Sequence, residues 1–327
     1  MLFIYYIMEG KIINDCIHGC IKISPLCLKF IDHPKFQKLR RIKQLGNAYR
    51  VYPSATHTRF EHSLGVMHLA GKFAKSLRIN KMIFPLCDGK RMIQLIQLAG
   101  LYHDIGHLPY SHLFDKILEA INPDNILHNH EDRSVEIFKL VSDELKLLSY
   151  NEELFVIACI KGKYISSLPR FLFQIISGPI DVDKLDYLSR DAFHTGMNSF
   201  RSEYIINNAR INADNNIVFK LKAKTDIVNM FKTRETMHEL VYQHKVNLDY
   251  DTIYMCMIYR IFDELKLDNL CDYKLDSILL EHEKTKHIFS QLEYRKKDHK
   301  LLNCDINHPI ITKKIYQSGT INDILFI

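Results

Sequence analysis

The sequence predicts an almost entirely α-helical protein with a small β-hairpin and short N-terminal strands. Three observations carry that reading. Apolar residues recur at helical spacing through long windows, most clearly Leu64, Met67, Ala70, Phe73, Ala74 and Leu77. β-Branched residues crowd only one early stretch, residues 11–23. Strict alternation is confined to residues 217–221, between polar turns.

In chain order, Ile12, Ile13, Ile17, Ile21 and Ile23 predict an extended segment that turns at His18-Gly19. Ser24-Pro25 reads as a cap followed by proline at the first helical position, opening a helix to residue 31. His33-Pro34 opens another, with Phe36, Leu39, Ile42 and Leu45 on one stripe and Gly46 as its stop. Residues 51–58 are a loop containing Pro53. Helices follow over 61–77, 91–101, 111–121, 130–147, 152–161, 181–190 and 202–208, with a loop at 122–129 and a hairpin from Ile211 to Leu221. Residues 226–257 read as one long helix, and 275–292 as another, ahead of a tail rich in β-branched residues over 303–327. This divides the chain into an extension (1–10), a core (11–265) and a C-terminal helical or extended segment that could form an interface (266–327).

With 327 residues, 47% apolar and 25% charged, the chain has ample material for a core. Lys and Arg total 44 against 38 Asp and Glu, a net charge of +6 that suits an anionic partner, nucleotide or nucleic acid, without choosing between them. Eight scattered cysteines with no C-x-x-C pair argue against cysteine-bound zinc and for reduced thiols in a cytoplasmic or nuclear setting. No apolar run approaches the roughly 18 residues of a membrane span. Residues 1–8 lack the basic start of a signal peptide, and Met8 is an alternative initiator to Met1.

The chemistry concentrates around Gly100-Leu-Tyr-His103-Asp104-Ile-Gly-His107. Adjacent His and Asp in an apolar run cannot both be buried without partners, and a divalent metal would satisfy the two together. His62 and Asp183 are candidates to complete a mixed nitrogen and oxygen site for Fe, Mn or Zn. His107, His112, Asp115 and His130 form a second cluster able to move protons near neutral pH. Asp183, Tyr187 and Asp191 lie at i, i+4 and i+8, flanked by Lys184 and Arg190, a row able to bind a sugar and a phosphate. Arg234, His238 and Tyr242 share a stripe suited to phosphates. Each set reads equally as buried polar packing or a salt-bridged helix surface.

Taken together these residues resemble the HD-domain superfamily, and within it the branch of deoxynucleoside triphosphate triphosphohydrolases that includes the animal enzyme with an added SAM domain. The resemblance rests on Asn14-Asp-Cys-Ile-His18-Gly19, Phe36-Gln-Lys-Leu-Arg40 through Gln44-Leu45-Gly46, His57-Thr-Arg59-Phe-Glu-His62-Ser-Leu-Gly65, the run from Gly100 to Asp115, His130-Glu131, Asp181-Val-Asp183-Lys184-Leu-Asp186-Tyr187-Leu-Ser-Arg190-Asp191, and Met230 through Lys245, in family order. A weaker echo lies at Gln291-Leu-Glu-Tyr-Arg295.

The resemblance implies metal ligation by His62, His103, Asp104 and Asp183. It implies catalysis by His107, His112, Asp115 and His130, with His107 near the α-phosphate and His112 donating a proton to the leaving 5′-oxygen. Arg59, Lys184 and Tyr187 would hold the triphosphate, aided by Mg. Gln44, Leu45 and Asp191 would read the deoxyribose, Tyr187 crowding its 2′ position, with Arg234 and Tyr242 as further pocket residues. The implied reaction yields deoxynucleoside and intact triphosphate. Lys11, Asn14, Asp32, Gln37, Arg40 and Arg295 match a GTP or dGTP activator site at a subunit interface of a dimer or tetramer. Lys220, Lys222, His244 and Lys245 correspond to a second nucleotide site. Departures are the expected lack of a SAM domain, Leu185 in place of an aromatic, and Glu239-Leu240 in place of two arginines. Rival readings are another HD phosphohydrolase, acting on monophosphates, cyclic nucleotides or nucleic-acid ends, and a non-catalytic sensor of nucleotides or nucleic acid.

Overall fold

The computed structural model describes residues 10–293. Two short antiparallel sheets accompany the helices. Strands β1 (Lys11–Asp15) and β2 (Gly19–Ile23) pair with Ile13 opposite Ile21, and Gly19 makes their turn at φ +65°. Strands β3 (Ala209–Ile211) and β4 (Ile217–Phe219) form the second hairpin. The helices are α1 (Pro25–Ile31), α2 (Pro34–Gln37), α3 (Arg59–Ser76), α4 (Gly89–Tyr102), α5 (His112–Ile121), α6 (His130–Leu145), α7 (Tyr150–Ile160), α8 (Arg170–Gln174), α9 (Val182–Thr195), α10 (Ser202–Asn207), α11 (Lys224–Met237), α12 (Lys245–Ile261), α13 (Asp272–Glu281) and α14 (Lys286–Glu293). The predicted helical class holds.

Local chemistry starts and stops these elements. The Ser24 hydroxyl accepts from Cys27 N at 3.2 Å. Asp88 caps α4, Asp181 caps α9, and Ser149 with Glu152 forms a reciprocal capping box on α7. Helix α9 runs one turn past the expected Arg190 and stops at Gly196, φ +73°. Helix α8 has no counterpart in the periodicity reading, being only five residues long.

Three expected helices are broken. The stripe from Phe36 to Leu45 becomes the single turn α2 and a 3₁₀ turn over Lys38–Arg41. Beyond it, Gln44 N donates to His57 O and Arg59 N to Ile42 O, both at 2.9 Å, and these bonds hold residues 42–44 extended. The helix expected over 226–257 passes through a π turn at His238–Tyr242, where Gln243 N donates to His238 O, and restarts at α12 under a His244 cap. The helix expected over 275–292 divides at His282, whose backbone is extended. The tail over 303–327 lies outside the described residues.

Helix α3 sits between α4 and α9 and is buried on nearly every side, including Arg59, His62 and Ser63. The main apolar core surrounds it. A second apolar cluster joins Leu108, Tyr110 and Phe114 to Tyr254, Met257 and Ile258 of α12 and to Leu275, Leu279 and Phe289 of α13 and α14. Among the described residues no helix is long and apolar enough to cross a membrane.

Candidate metal centre and active site

Helices α3, α4 and α9 bring four predicted side chains to one point. His62 Nε2 lies 3.3 Å from His103 Nε2. Asp183 Oδ1 is 3.1 Å from the first of these nitrogens and 3.4 Å from the second. Asp104 straddles the pair, with Oδ2 3.5 Å from His62 Nε2 and Oδ1 3.4 Å from His103 Nε2. The other ring nitrogens determine what these atoms offer. His103 Nδ1 is 2.8 Å from Gly100 O, a pure acceptor, so that nitrogen carries the hydrogen. His62 Nδ1 donates likewise to Asp186 Oδ2 at 2.8 Å. Both Nε2 atoms therefore present lone pairs toward two carboxylates. With both rings neutral, four acceptors converge, and what the set lacks is a cation, either a proton on Nε2 or a metal ion. Two imidazole nitrogens and two carboxylate oxygens suit a divalent transition metal.

Titration follows the same demand. Burial opposes charge on His62, yet its bonds to Asp104, Asp183 and Asp186 hold its pKa well above the ordinary imidazole value. Burial likewise opposes ionisation of Asp183, and His103 and His62 overcome it, holding the carboxyl below its usual range.

Behind the centre lies a buried ionic relay. Arg190, fully buried, clasps Asp186 through Nε at 2.9 Å and Nη2 at 3.0 Å, and donates to Asp15 through Nη1 at 2.8 Å. Asp186 also takes His18 Nε2 at 2.6 Å. This shell fixes the His62 tautomer, as outer partners of metal-binding histidines do. Gly65 makes room for it, since a Cβ there would stand 1.8 Å from Asp186 Oδ1. The i, i+4 pair Asp186 and Arg190 was the available sequence signal for the relay. The partnership with Asp15 and His18, far away in the chain, had none.

The second cluster flanks the first. His107 is fully buried, its Nε2 lies 3.5 Å from Asp104 Oδ1, and its ring stacks on His130 at 4.0 Å. Burial first, then the positive charge of Arg59, holds its pKa well below the ordinary value, so it is neutral. Asp115 receives His130 Nδ1 at 2.8 Å, lies 3.5 Å from His112 Nδ1, and pairs with Arg133. Arg133, which sequence reasoning missed, also donates to the carbonyls of Gly106, Leu127 and His128. The His112 side chain is 65% exposed.

A cavity of about 400 Å³ opens beside both clusters, a size suited to a small molecule. Of the predicted residues, Gln44, Leu45, Arg59, Asp104, His112, His130, Asp183, Tyr187, Asp191 and Tyr242 line it. Lys116, His238, Leu248 and Asp251 join them; of these only His238 lay on a stripe read from the sequence. Arg59 is buried, pairs with Asp104 and donates to Ser111 Oγ at 3.0 Å. Asp191 is engaged on both oxygens, by His57 Nε2 and by the Tyr242 hydroxyl, each at 2.7 Å. The buried Gln44 Oε1 has no partner. Burial, then the nearby Asp183 charge, raises the Tyr187 phenol above its usual pKa.

Two predicted pocket residues stand outside this lining. Lys184 turns back along its own helix to Asp181 and to Gly178 O, and Arg234 is half-buried on the last turn of α11. Of the predicted activator residues, Lys11 and Asp32 form an exposed pair at 3.9 Å, Arg40 donates to Gln37 at 2.8 Å, and Asn14 accepts from Cys20 on the hairpin. Arg295 lies outside the described residues. In the second predicted set, His244 caps α12, and Lys222 lies over the Tyr204 ring at 6.0 Å.

The family model described as the HD domain matches residues 59–191, which begin at Arg59 and end at Asp191 of the cavity wall. The chain belongs to the HD-domain family. Its HD domain carries the four converging side chains His62, His103, Asp104 and Asp183 and the His107, His112, Asp115 and His130 group. The chain is 35% identical over 243 residues to the Dictyostelium discoideum protein named deoxynucleoside triphosphate triphosphohydrolase SAMHD1 homolog, covering 73% of this chain and 47% of that protein. It is 38% identical over 273 residues to the Bos taurus deoxynucleoside triphosphate triphosphohydrolase SAMHD1, covering 74% and 46%. A putative HD domain-containing protein of Acanthamoeba polyphaga mimivirus is 36% identical over 252 residues, 72% and 54%. This HD-domain chain thus spans about half the length of the relatives it matches.

Proposed function

We propose that this protein hydrolyses deoxynucleoside triphosphates to the deoxynucleoside and inorganic triphosphate. The observation that carries the reading is that Asp104 and Asp183 of the centre and His112 and His130 of the second group line one cavity of nucleotide size. The names of the SAMHD1 relatives supply the substrate class.

His62, His103, Asp104 and Asp183 would hold a divalent ion, Fe, Mn or Zn, with Mg accompanying the triphosphate. Such an ion supplies Lewis-acid stabilisation of charge at a phosphoryl group. Arg59 places a fixed positive charge at the cavity wall beside the centre, where phosphate charge is to be neutralised. Neutral His107 packs under His130 and keeps that ring in place. Asp115 anchors His130 and faces His112, so His112 Nδ1 is held toward a carboxylate, and the exposed ring, after taking a proton from solvent on Nε2, gives it up from that nitrogen. We assign that proton to the departing 5′-oxygen. Tyr187, with its raised pKa, stays a neutral phenol against the sugar, and Gln44 offers its unpartnered oxygen there. Asp191 acts by fixing Tyr242 rather than as a free acceptor.

We further propose that Lys11, Asn14, Asp32, Gln37 and Arg40 receive a guanine nucleotide, in a homo-oligomer. Lys11 pairs with Asp32, and Gln37 joins Arg40 to the Ile31 carbonyl beside Asp32, which supports one shared surface.

The test incubates purified protein and divalent metal with each dNTP, with and without GTP, and resolves the products. Triphosphate with deoxynucleoside is expected, abolished by His112→Ala. Pyrophosphate, monophosphates, or no turnover under any metal overturns the reading.

A further inference from the structure

The loop between the HD motif and α5 takes an uncommon path. Tyr110 (φ +58°) and Ser111 (φ +55°) are consecutive non-glycine residues in left-handed backbone, immediately before His112. Such a conformation persists only where the surroundings over-determine it.

The surroundings come from α13. Asp272, at the first position of that helix, is buried, and its two oxygens take two backbone donors from two different loops: Oδ1 accepts from Tyr110 N at 3.1 Å and Oδ2 from Lys43 N at 2.9 Å. One turn on, Asp276 accepts from the Tyr110 hydroxyl, and from the Tyr254 hydroxyl at 3.1 Å. Tyr110 is thus held at its backbone and at its ring tip by two carboxylates of one helix face. The two loops are also tied to each other, because Ser111 Oγ donates to Lys43 O at 2.9 Å. One loop ends in His112. The other leads directly to Gln44. Asp272 itself does not line the cavity.

We propose that Asp272 is a positioning residue: its carboxylate holds the left-handed Tyr110–Ser111 turn against the Lys43 loop and so aims His112 into the cavity. The inference rests on the proposed role of His112. A C-terminal helix that contributes no atom to the cavity wall would thereby set the geometry of proton donation.

Asp272→Asn keeps the shape and removes one of the two acceptors. The expected result is kcat lowered about tenfold, with the Kd for a non-hydrolysable α,β-imido deoxynucleotide within about threefold of wild type. In a His112→Ala background the same change lowers kcat less than about twofold, since the group it aims is gone. Histidine side-chain NMR gives a readout independent of turnover: the His112 signals move in Asp272→Asn, while those of the distant His33 and His282 do not. Unchanged kcat, an equal loss in both backgrounds, or unmoved His112 signals overturns the proposal. If Asp272→Asn does not fold, Asp276→Asn carries the same readouts, with a smaller shift in the same direction. If the wild-type chain releases no triphosphate, the proposed function falls, and the His112 signals alone decide the role of Asp272.

Discussion

Asp186 shows how much one buried side chain can set. It holds His62, His18 and Arg190 at once, and Arg190 keeps one further carboxylate partner, Asp15. Asp186→Ala leaves the buried Arg190 with Asp15 alone, a change that costs about 3 kcal/mol, the low end for a broken buried pair, and it releases the His62 ring, which would weaken metal affinity about 10–100-fold. Urea denaturation and metal titration read the two effects separately. Gly65→Ala drives its new methyl into the same carboxylate and reproduces the metal defect without removing a charge. His68 provides a pH test away from the site. Burial, then the charges of Lys72 and His18, lowers its pKa to about 4. In the unfolded chain it titrates near ~6.5, so between these values the unfolded state binds more protons than the native one. Stability from the neutral ring is complete above pH ~6.5 and is lost as pH falls toward ~4. His68→Leu should flatten the decline of Tm over that window; a decline equal to wild type would refute the assignment.

At the scale of elements, boundaries were legible where side chains write them and illegible where distant backbone does. Ser24-Pro25 marks a helix start by local chemistry, and α1 starts there; the Asp88 cap and the Gly196 stop are equally local, but periodicity alone placed those two ends at Arg91 and Arg190. The stripe from Phe36 to Leu45 has helical period, yet its second half is claimed by hydrogen bonds from residues 57–59. Periodicity was also continuous across residues 226–257, because a π turn alters the winding without altering composition. That turn carries Tyr242, whose hydroxyl donates to Asp191 at 2.7 Å. Tyr242→Phe removes that bond and leaves the winding intact. Deoxynucleotide binding should fall about tenfold while circular dichroism keeps its helical signal; retained affinity would show that the Tyr242–Asp191 bond is incidental.

For the whole molecule, the cavity lies where two apolar clusters meet. Its metal side belongs to the main core around α3, and Tyr110 and Leu113 belong to the cluster closed by α12, α13 and α14. An ion at the four-acceptor centre joins α3, α4 and α9 and binds only the folded chain, so it stabilises by mass action, about 4 kcal/mol at a thousandfold excess over Kd. Chelation should therefore lower Tm by several degrees and re-addition of Mn or Fe restore it. An unchanged Tm would count against occupation of the centre. The candidate metal and proton-moving residues stood out in the sequence because their types are rare and costly in an apolar run: His103-Asp104 needs a partner wherever it is buried, and the candidate partners are few. Their convergence was not legible. Four helices supply His62, His103, Asp183 and His112, and sequence spacing says nothing of how helices far apart in the chain cross. By itself the sequence determined the helical class, most helix ends and the kinds of group that form the site, all of which depend on neighbours a few residues away. Only the tertiary structure decided that Asp191 is spent on His57 and Tyr242, that Lys184 turns back to Asp181, and that Asp272 grips the turn before His112. Each of those outcomes is a competition for hydrogen-bond partners between segments that only folding brings together.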